Sequence, residues 1–132
     1  MSRRLLIRRL RLWLPPLVYM AAIFSLSAQS DPLPQITTRV PDKLLHTTEY
    51  AGLGLLVCRA LAGEGIGWLT TVILALVMTS TYGATDEWHQ SYVPMRSSDI
   101  RDWLADDTGA AASVAAYGIF SMALRRRRPL RR

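Results

Sequence analysis

The sequence has a single cysteine, Cys58, which excludes an internal disulfide. It has no internal repeat, no low-complexity linker and no phosphate-binding loop. The stretch Gly63-Glu64-Gly65-Ile66-Gly67 is rich in glycine but lacks the lysine of a nucleotide cradle, and reads more simply as a tight turn. Charge is also missing over long distances: no Asp, Glu, Lys or Arg occurs from Leu12 to Ser30 or from Gly65 to Thr85. A helix crosses a bilayer core with roughly 20 apolar residues, so either run is long enough to do so.

What is present fits around those two runs. Leu44 to Ala62 is apolar apart from His46, Glu49 and Arg59, and Thr108 to Leu124 is uncharged but preceded by Asp102, Asp106 and Asp107. Both read as spans with polar ends. The expected fold is therefore all-α: one membrane domain covering residues 1–132, with four transmembrane helices at about 12–29, 44–62, 66–85 and 104–124.

Basic residues orient such a chain, because Lys and Arg in short loops are retained on the cytoplasmic side. Arg3, Arg4, Arg8, Arg9 and Arg11 precede the first span, Arg125 to Arg128, Arg131 and Arg132 follow the last, and Arg59 lies at the middle turn. With four spans both termini are cytoplasmic, and 12 of the 16 basic residues fall on that side. Of the 10 acidic residues only Glu64 joins them, leaving +11 inside and −5 outside, which together give the net charge of +6. Soluble folds usually intersperse the two signs. A basic tail also suits nucleic acid, but these arginines abut membrane spans, so no nucleic-acid partner is expected. The basic start, apolar core and small residues of Ser25-Leu26-Ser27-Ala28 also resemble a cleaved signal peptide. The apolar stretch is longer than a usual signal core, and cleavage would leave three spans with the same outer face.

That topology brings polar groups together at the outer end. Helical spacing puts Asp42, His46, Glu49 and Tyr50 on one side of span two. Span three ends there with Asp86, Glu87, His89 and Gln90, and span four begins there with Asp99, Asp102 and Asp106 on one face. Lys43 and Arg96 reach the same level. Polar groups at membrane depth are costly and normally face the bundle interior, paired with one another. Structural roles account for some of them. Asp42 and Asp99 suit helix caps, Lys43 can extend to the headgroups, and Trp88, Tyr92 and Trp103 suit an aromatic belt. Glu64 and Arg59 read as solvated turn charges, Cys58 as packing, and Gly109 and Ser113 as close helix contacts. Asp86, Glu87, Asp102 and Asp106 together need a cation, protons or Arg96 to offset their repulsion.

These residues resemble the VanZ-like membrane protein family, named for a factor associated with resistance to the glycopeptide teicoplanin, and the resemblance covers nearly the whole chain. Phe24 to Ser30 is similar to the serine-rich end of that family's first helix. Asp42-Lys43-Leu44-Leu45-His46 with Tyr50 and Leu53 matches D-K-x-x-H-x-x-x-Y-x-x-L, and Asp86-Glu87-Trp88-His89-Gln90, with Arg96 beyond, matches D-E-x-x-Q. Asp102 to Asp106 with Gly109 resembles D-x-x-x-N-x-x-G. Two positions depart from the pattern: Met95 stands where many relatives have glycine, and Asp106 where asparagine is common.

The resemblance implies a multi-pass protein of the bacterial cytoplasmic membrane, connected with the cell envelope and glycopeptide tolerance, but it carries no reaction with it. Three readings of the outer site stay open. In the first, the site binds a membrane lipid or a lipid-linked cell-wall precursor, with Arg96 and Lys43 holding phosphate and Trp88, Tyr92 and Trp103 lining the apolar part. Its binding residues are Asp42, Lys43, His46, Tyr50, Asp86, Glu87, Gln90, Arg96, Asp102 and Asp106. In the second, Asp86, Glu87 and Asp102, with His46 or His89 and with Asp42 a further candidate, hold a divalent metal that activates water against a phosphate ester. Asp86, Glu87, His46 and Asp102 are then the catalytic candidates. In the third, Asp86, Glu87, Arg96 and Asp102 form a structural ion network. So small a bundle also leaves helix faces for self-association or a membrane partner.

Overall fold

A computed structural model describes residues 2–30, 36 and 38–126. Asp31 and the arginines beyond Arg126 lie outside the described residues. The described residues form four long helices: α1 (Arg3–Ser27), α2 (Asp42–Gly63), α3 (Trp68–Gln90) and α4 (Ile100–Arg126). The fold is all-α, as the sequence implies. Two helices, α1 and α3, are long and apolar enough to cross a membrane, with mean hydropathies of 1.4 and 1.3. In α2 and α4 the polar residues at the start of each helix lower the average.

Each helix runs past the apolar stretch that marks it. α1 begins nine residues before Leu12, because arginine and leucine are good helix formers and Ser2 caps the first turn, accepting a hydrogen bond from the Leu5 N–H at 3.4 Å. The overshoot has partners. The Arg8 guanidinium donates to the Gly63 carbonyl, and Arg9 lies 3.6 Å from Glu64. The Trp13 indole N–H donates to Glu64 at 3.1 Å. Glu64 is therefore tied to α1 and is not the freely solvated turn charge expected from the sequence. The turn between α2 and α3 holds Gly65 at φ 85°, a left-handed angle that glycine adopts without steric cost.

These contacts fix the directions. The start of α1 meets the end of α2, while Ser27 at the end of α1 meets Asp86 near the end of α3. The helices thus alternate up and down, and α2 and α4 run parallel from the same end. Those two make the most extensive contact in the molecule. Gly109 allows it: a Cβ there would overlap the Thr47 carbonyl oxygen and lie 2.7 Å from the carbonyl carbon. Gly54 plays the same part lower down, facing the Ala110 backbone and Ser113. The close-packing role expected for Gly109 and Ser113 is what the fold shows.

The core joins Ile23, Tyr50, Leu53, Val57, Cys58, Leu61, Ala75 and Val114. Cys58 is wholly buried and unpaired, as packing requires. Polarity is inverted relative to a water-soluble bundle. Leu14, Leu17, Val18, Leu69, Ile73, Val77, Ile119 and Phe120 are exposed, whereas His46, Asp86, Glu87, Gln90, Asp102 and Asp106 are buried. Buried charges and many exposed large apolar side chains depart from the usual distribution in opposite directions.

Candidate functional site

The buried polar residues gather where α1 and α3 end and α2 and α4 begin. Because α2 and α4 are parallel, spacings of three and four residues on each come into register. Lys43 pairs with Asp102, and its ammonium lies 3.9 Å from Asp99. One turn further in, His46 Nδ1 lies 2.9 Å from Asp106 Oδ1, and below it the Thr47 hydroxyl donates to the Ala105 carbonyl at 3.2 Å. Lys43 precedes the apolar stretch of α2, and the hydrogen bond to Asp102 pushes its ammonium pKa above the usual value.

α3 supplies two carboxylates that face different ways, since successive helical residues are about 100° apart. Asp86 turns to α1, accepting from the Ser27 hydroxyl at 2.7 Å and from the Gln90 amide at 2.9 Å. Glu87 turns to the start of α4, where it accepts from the Asp99 backbone N–H at 2.9 Å. Arg96 donates to Gln90 Oε1 at 2.7 Å, so Arg96, Gln90, Asp86 and Ser27 form one hydrogen-bonded chain. Among the described residues Arg96 makes no ion pair.

Asp99 caps α4, accepting from the Arg101 N–H at 2.8 Å, which is the role expected of it. Asp42 is not a cap: it is the first helical residue of α2, Pro41 holds the cap position, and no side-chain cap bond forms. Asp42 Oδ2 lies instead 4.0 Å from His46 Nε2.

Among the described residues, four buried oxygens in this region lack a hydrogen-bond partner: Tyr50 Oη, Asp86 Oδ1, Glu87 Oε1 and Asp106 Oδ2. Gly83 on α3 makes room for two of these groups. A Cβ there would lie 3.2 Å from Asp106 Oδ2 and 3.3 Å from the Tyr50 ring. Among the described residues two triads have ligand atoms within 4.8 Å of one another: His46, Glu87 and Asp106, all buried, and Asp42, His46 and Asp102 nearer the surface.

Beside the cluster opens a cavity of about 380 Å³ lined by Tyr19, Leu26, Leu45, Glu49, Gln90 and Arg96, with His46 and Asp42 also on its wall. Its lining joins one cation and several acceptors to an apolar wall. Tyr19, Leu26 and Ser27 of α1 were not among the candidates, and neither was Glu49. Glu49 carried a sequence signal, since it follows His46 by three residues on the same face of α2, whereas the α1 residues carried none beyond the serine-rich helix end.

Several expected partnerships are absent. His89 is away from the cluster: it stacks on Phe24 with ring centroids 4.2 Å apart and lines a separate pocket with Tyr82, Trp88 and Tyr92. A helical step of about 100° from Trp88 and Gln90 accounts for that position. Trp103 is not in an outward belt. It packs against α3 and donates to the Ser80 carbonyl at 3.1 Å. Trp88 and Tyr92 are exposed and meet edge to face, and they do not line the Arg96 cavity. Lys43 is engaged by Asp102 and Asp99 rather than extended freely, and Asp86, whose Oδ2 is held by Ser27 and Gln90, stands outside both metal-capable triads.

A small all-helical protein with two candidate membrane spans and a buried polar cluster is the class these features define. Within it, the chain belongs to the VanZ/LLP1 family, whose model matches residues 4–121. No curated protein and no solved structure matches it significantly.

Proposed function

We propose that this VanZ/LLP1-family protein is a four-span protein of the bacterial cytoplasmic membrane, with both termini inside. Its cavity at the outer end binds the phosphate of an envelope lipid or lipid-linked cell-wall precursor. The observation that carries this reading is the state of Arg96: it sits on the wall of a partly apolar cavity and, among the described residues, forms no ion pair. A guanidinium held by Gln90 keeps further N–H donors for a phosphate, which it can grip with two parallel hydrogen bonds. Tyr19, Leu26 and Leu45 offer surface to the adjoining apolar part of a lipid. Lys43, engaged by two carboxylates, belongs to the helix-locking pairs instead.

Membrane insertion of all four helices is supported by the inverted polarity and the charge split between the two ends. Lys43–Asp102 and His46–Asp106 pair the polar starts of α2 and α4 across the helix contact, which lessens the cost of their low hydropathy. Occupying a lipid-linked precursor at the outer face would restrict access of a glycopeptide to it, a route to the family's association with teicoplanin tolerance.

The reading is tested by native mass spectrometry of protein released gently from membranes. A phosphate-bearing lipid is expected on the wild type and on Lys43→Ala, and is expected to be lost from Arg96→Ala. Equal lipid retention by wild type and Arg96→Ala contradicts the proposal.

The ion pairs themselves favour a complementary structural role. Lys43–Asp102 and His46–Asp106 lock the parallel helices α2 and α4 in register. That lock positions the cavity wall but does not use Arg96.

A further inference from the structure

We infer that His46, Glu87 and Asp106 form a binding site for one divalent transition-metal ion, of the Mn²⁺ or Zn²⁺ type, inside the helix cluster. The three donate from different helices, α2, α3 and α4, and their ligand atoms lie within 4.8 Å of one another. All three are buried, Asp106 to 1% and Glu87 to 5% exposure. Proximity of acids alone would not make a site; the unpartnered atoms do. Among the described residues Glu87 Oε1 and Asp106 Oδ2 have no hydrogen-bond partner, nor has the hydroxyl of Tyr50, at 1% exposure, whose ring borders the space at Gly83 together with Asp106 Oδ2. Leaving buried oxygens unpaired is costly, and a cation satisfies several at once.

Geometry and charge agree. Ligand atoms bound at about 2.0–2.2 Å are about 3 Å apart across the right angle of an octahedral shell and about 3.3–3.6 Å apart in a tetrahedral one, and His46 Nδ1 is 2.9 Å from Asp106 Oδ1, nearer the octahedral spacing that Mn²⁺ takes. The same contact therefore serves as a hydrogen bond or, with the neutral imidazole, as an edge of a coordination shell. Two ionised carboxylates carry −2, which one divalent ion neutralises. The mixed imidazole and carboxylate donors suit Mn²⁺ or Zn²⁺ better than Mg²⁺, which prefers an all-oxygen octahedron with several waters. The first coordination groups also have outer support: Glu87 Oε2 accepts from the Asp99 N–H, which orients the carboxylate and leaves Oε1 for the ion.

The set differs from the one the sequence suggests, because Asp86 faces Ser27 and Asp102 faces Lys43. The inference does not depend on lipid binding. His46 lines the cavity as well, so the ion would lie at its wall.

The test uses the full-length chain in mild detergent, exposed to Mn²⁺ or Zn²⁺, desalted and measured by elemental mass spectrometry. About one equivalent per chain is expected for the wild type and for Asp86→Asn, with at least a tenfold loss in the double variant Glu87→Gln/Asp106→Asn. A measurement on the wild type alone guards against a variant that misfolds: pulsed paramagnetic resonance of the Mn²⁺-loaded protein should show coupling to an imidazole nitrogen. Well-folded wild type that retains no stoichiometric ion, or Mn²⁺ with only a solvent-like signal, overturns the site. Equal retention by a folded double variant also overturns it, and protons would then be what balances the cluster.

Discussion

Replacing Gly109 with alanine probes the contact on which the site is built. An added Cβ would overlap the Thr47 carbonyl oxygen and lie 2.7 Å from its carbon and 3.0 Å from its Cα. Backbone cannot step aside as a flexible side chain does, so α2 and α4 must separate. Overpacking of this kind costs about 1–3 kcal/mol. Separation also weakens the 2.9 Å His46–Asp106 pair and the 3.2 Å Thr47–Ala105 bond, the latter worth roughly 1 kcal/mol or less between membrane helices. Alanine returns up to about 1 kcal/mol through its higher helix propensity. Steric overlap and lost pairing outweigh that gain, and a net destabilisation of about 1–3 kcal/mol is expected. Denaturant titration of detergent-solubilised protein, followed by tryptophan fluorescence, reads it directly, since Trp103 bridges α4 and α3. A midpoint equal to or above that of the wild type refutes the close backbone contact and the register derived from it.

Other perturbations have equally definite expectations. Met95 holds φ 64° at an almost fully exposed position, a conformation costing a non-glycine residue about 1–2 kcal/mol. Met95→Gly should stabilise the fold by roughly 0.5–1 kcal/mol once the greater unfolded-state entropy of glycine is subtracted, and the same denaturant titration measures it. Cys58 should resist thiol reagents in the folded protein and react at the global unfolding rate, as timed maleimide labelling would show. The Lys43–Asp102 pair raises the Lys43 pKa above 10.5, so its contribution is complete below that value and is lost only as pH rises through the higher folded value. Wild type and Lys43→Met should therefore share one pH dependence of stability between about pH 7 and 9, and a diverging slope in that window would contradict the assignment.

The helices were legible because charge-free runs, polar helix starts and glycine turns each have a local cause. Their ends were not. The sequence put the first span at Leu12, whereas α1 begins at Arg3, because Arg8, Arg9 and Trp13 find partners on α2 and the Glu64 turn. Spacing within a helix did bring out side chains that the fold places together. Asp102 and Asp106, four apart, do face Lys43 and His46, three apart. Sequence spacing cannot say which neighbouring helix a side chain meets, and the misplacements all arise there. Asp86 and Glu87 are adjacent in sequence but serve α1 and α4 respectively, His89 turns to Phe24, and Trp103 fills the gap beside Gly83. Ser27 and Tyr19 join the site only through the tertiary packing of α1, for which no motif position speaks.

The proposed function places the polar end that carries the cavity and the cluster at the cell exterior. Its most direct test is cysteine accessibility in intact cells, in a Cys58→Ala background, with a membrane-impermeant maleimide. Ser98→Cys, in the exposed segment before α4, should be labelled at once. Gly67→Cys, in the turn where a side chain meets nothing within 4 Å, should be labelled only after permeabilisation. Labelling of Gly67→Cys in sealed cells, with Ser98→Cys protected, would reverse the topology and place the site on the cytoplasmic side.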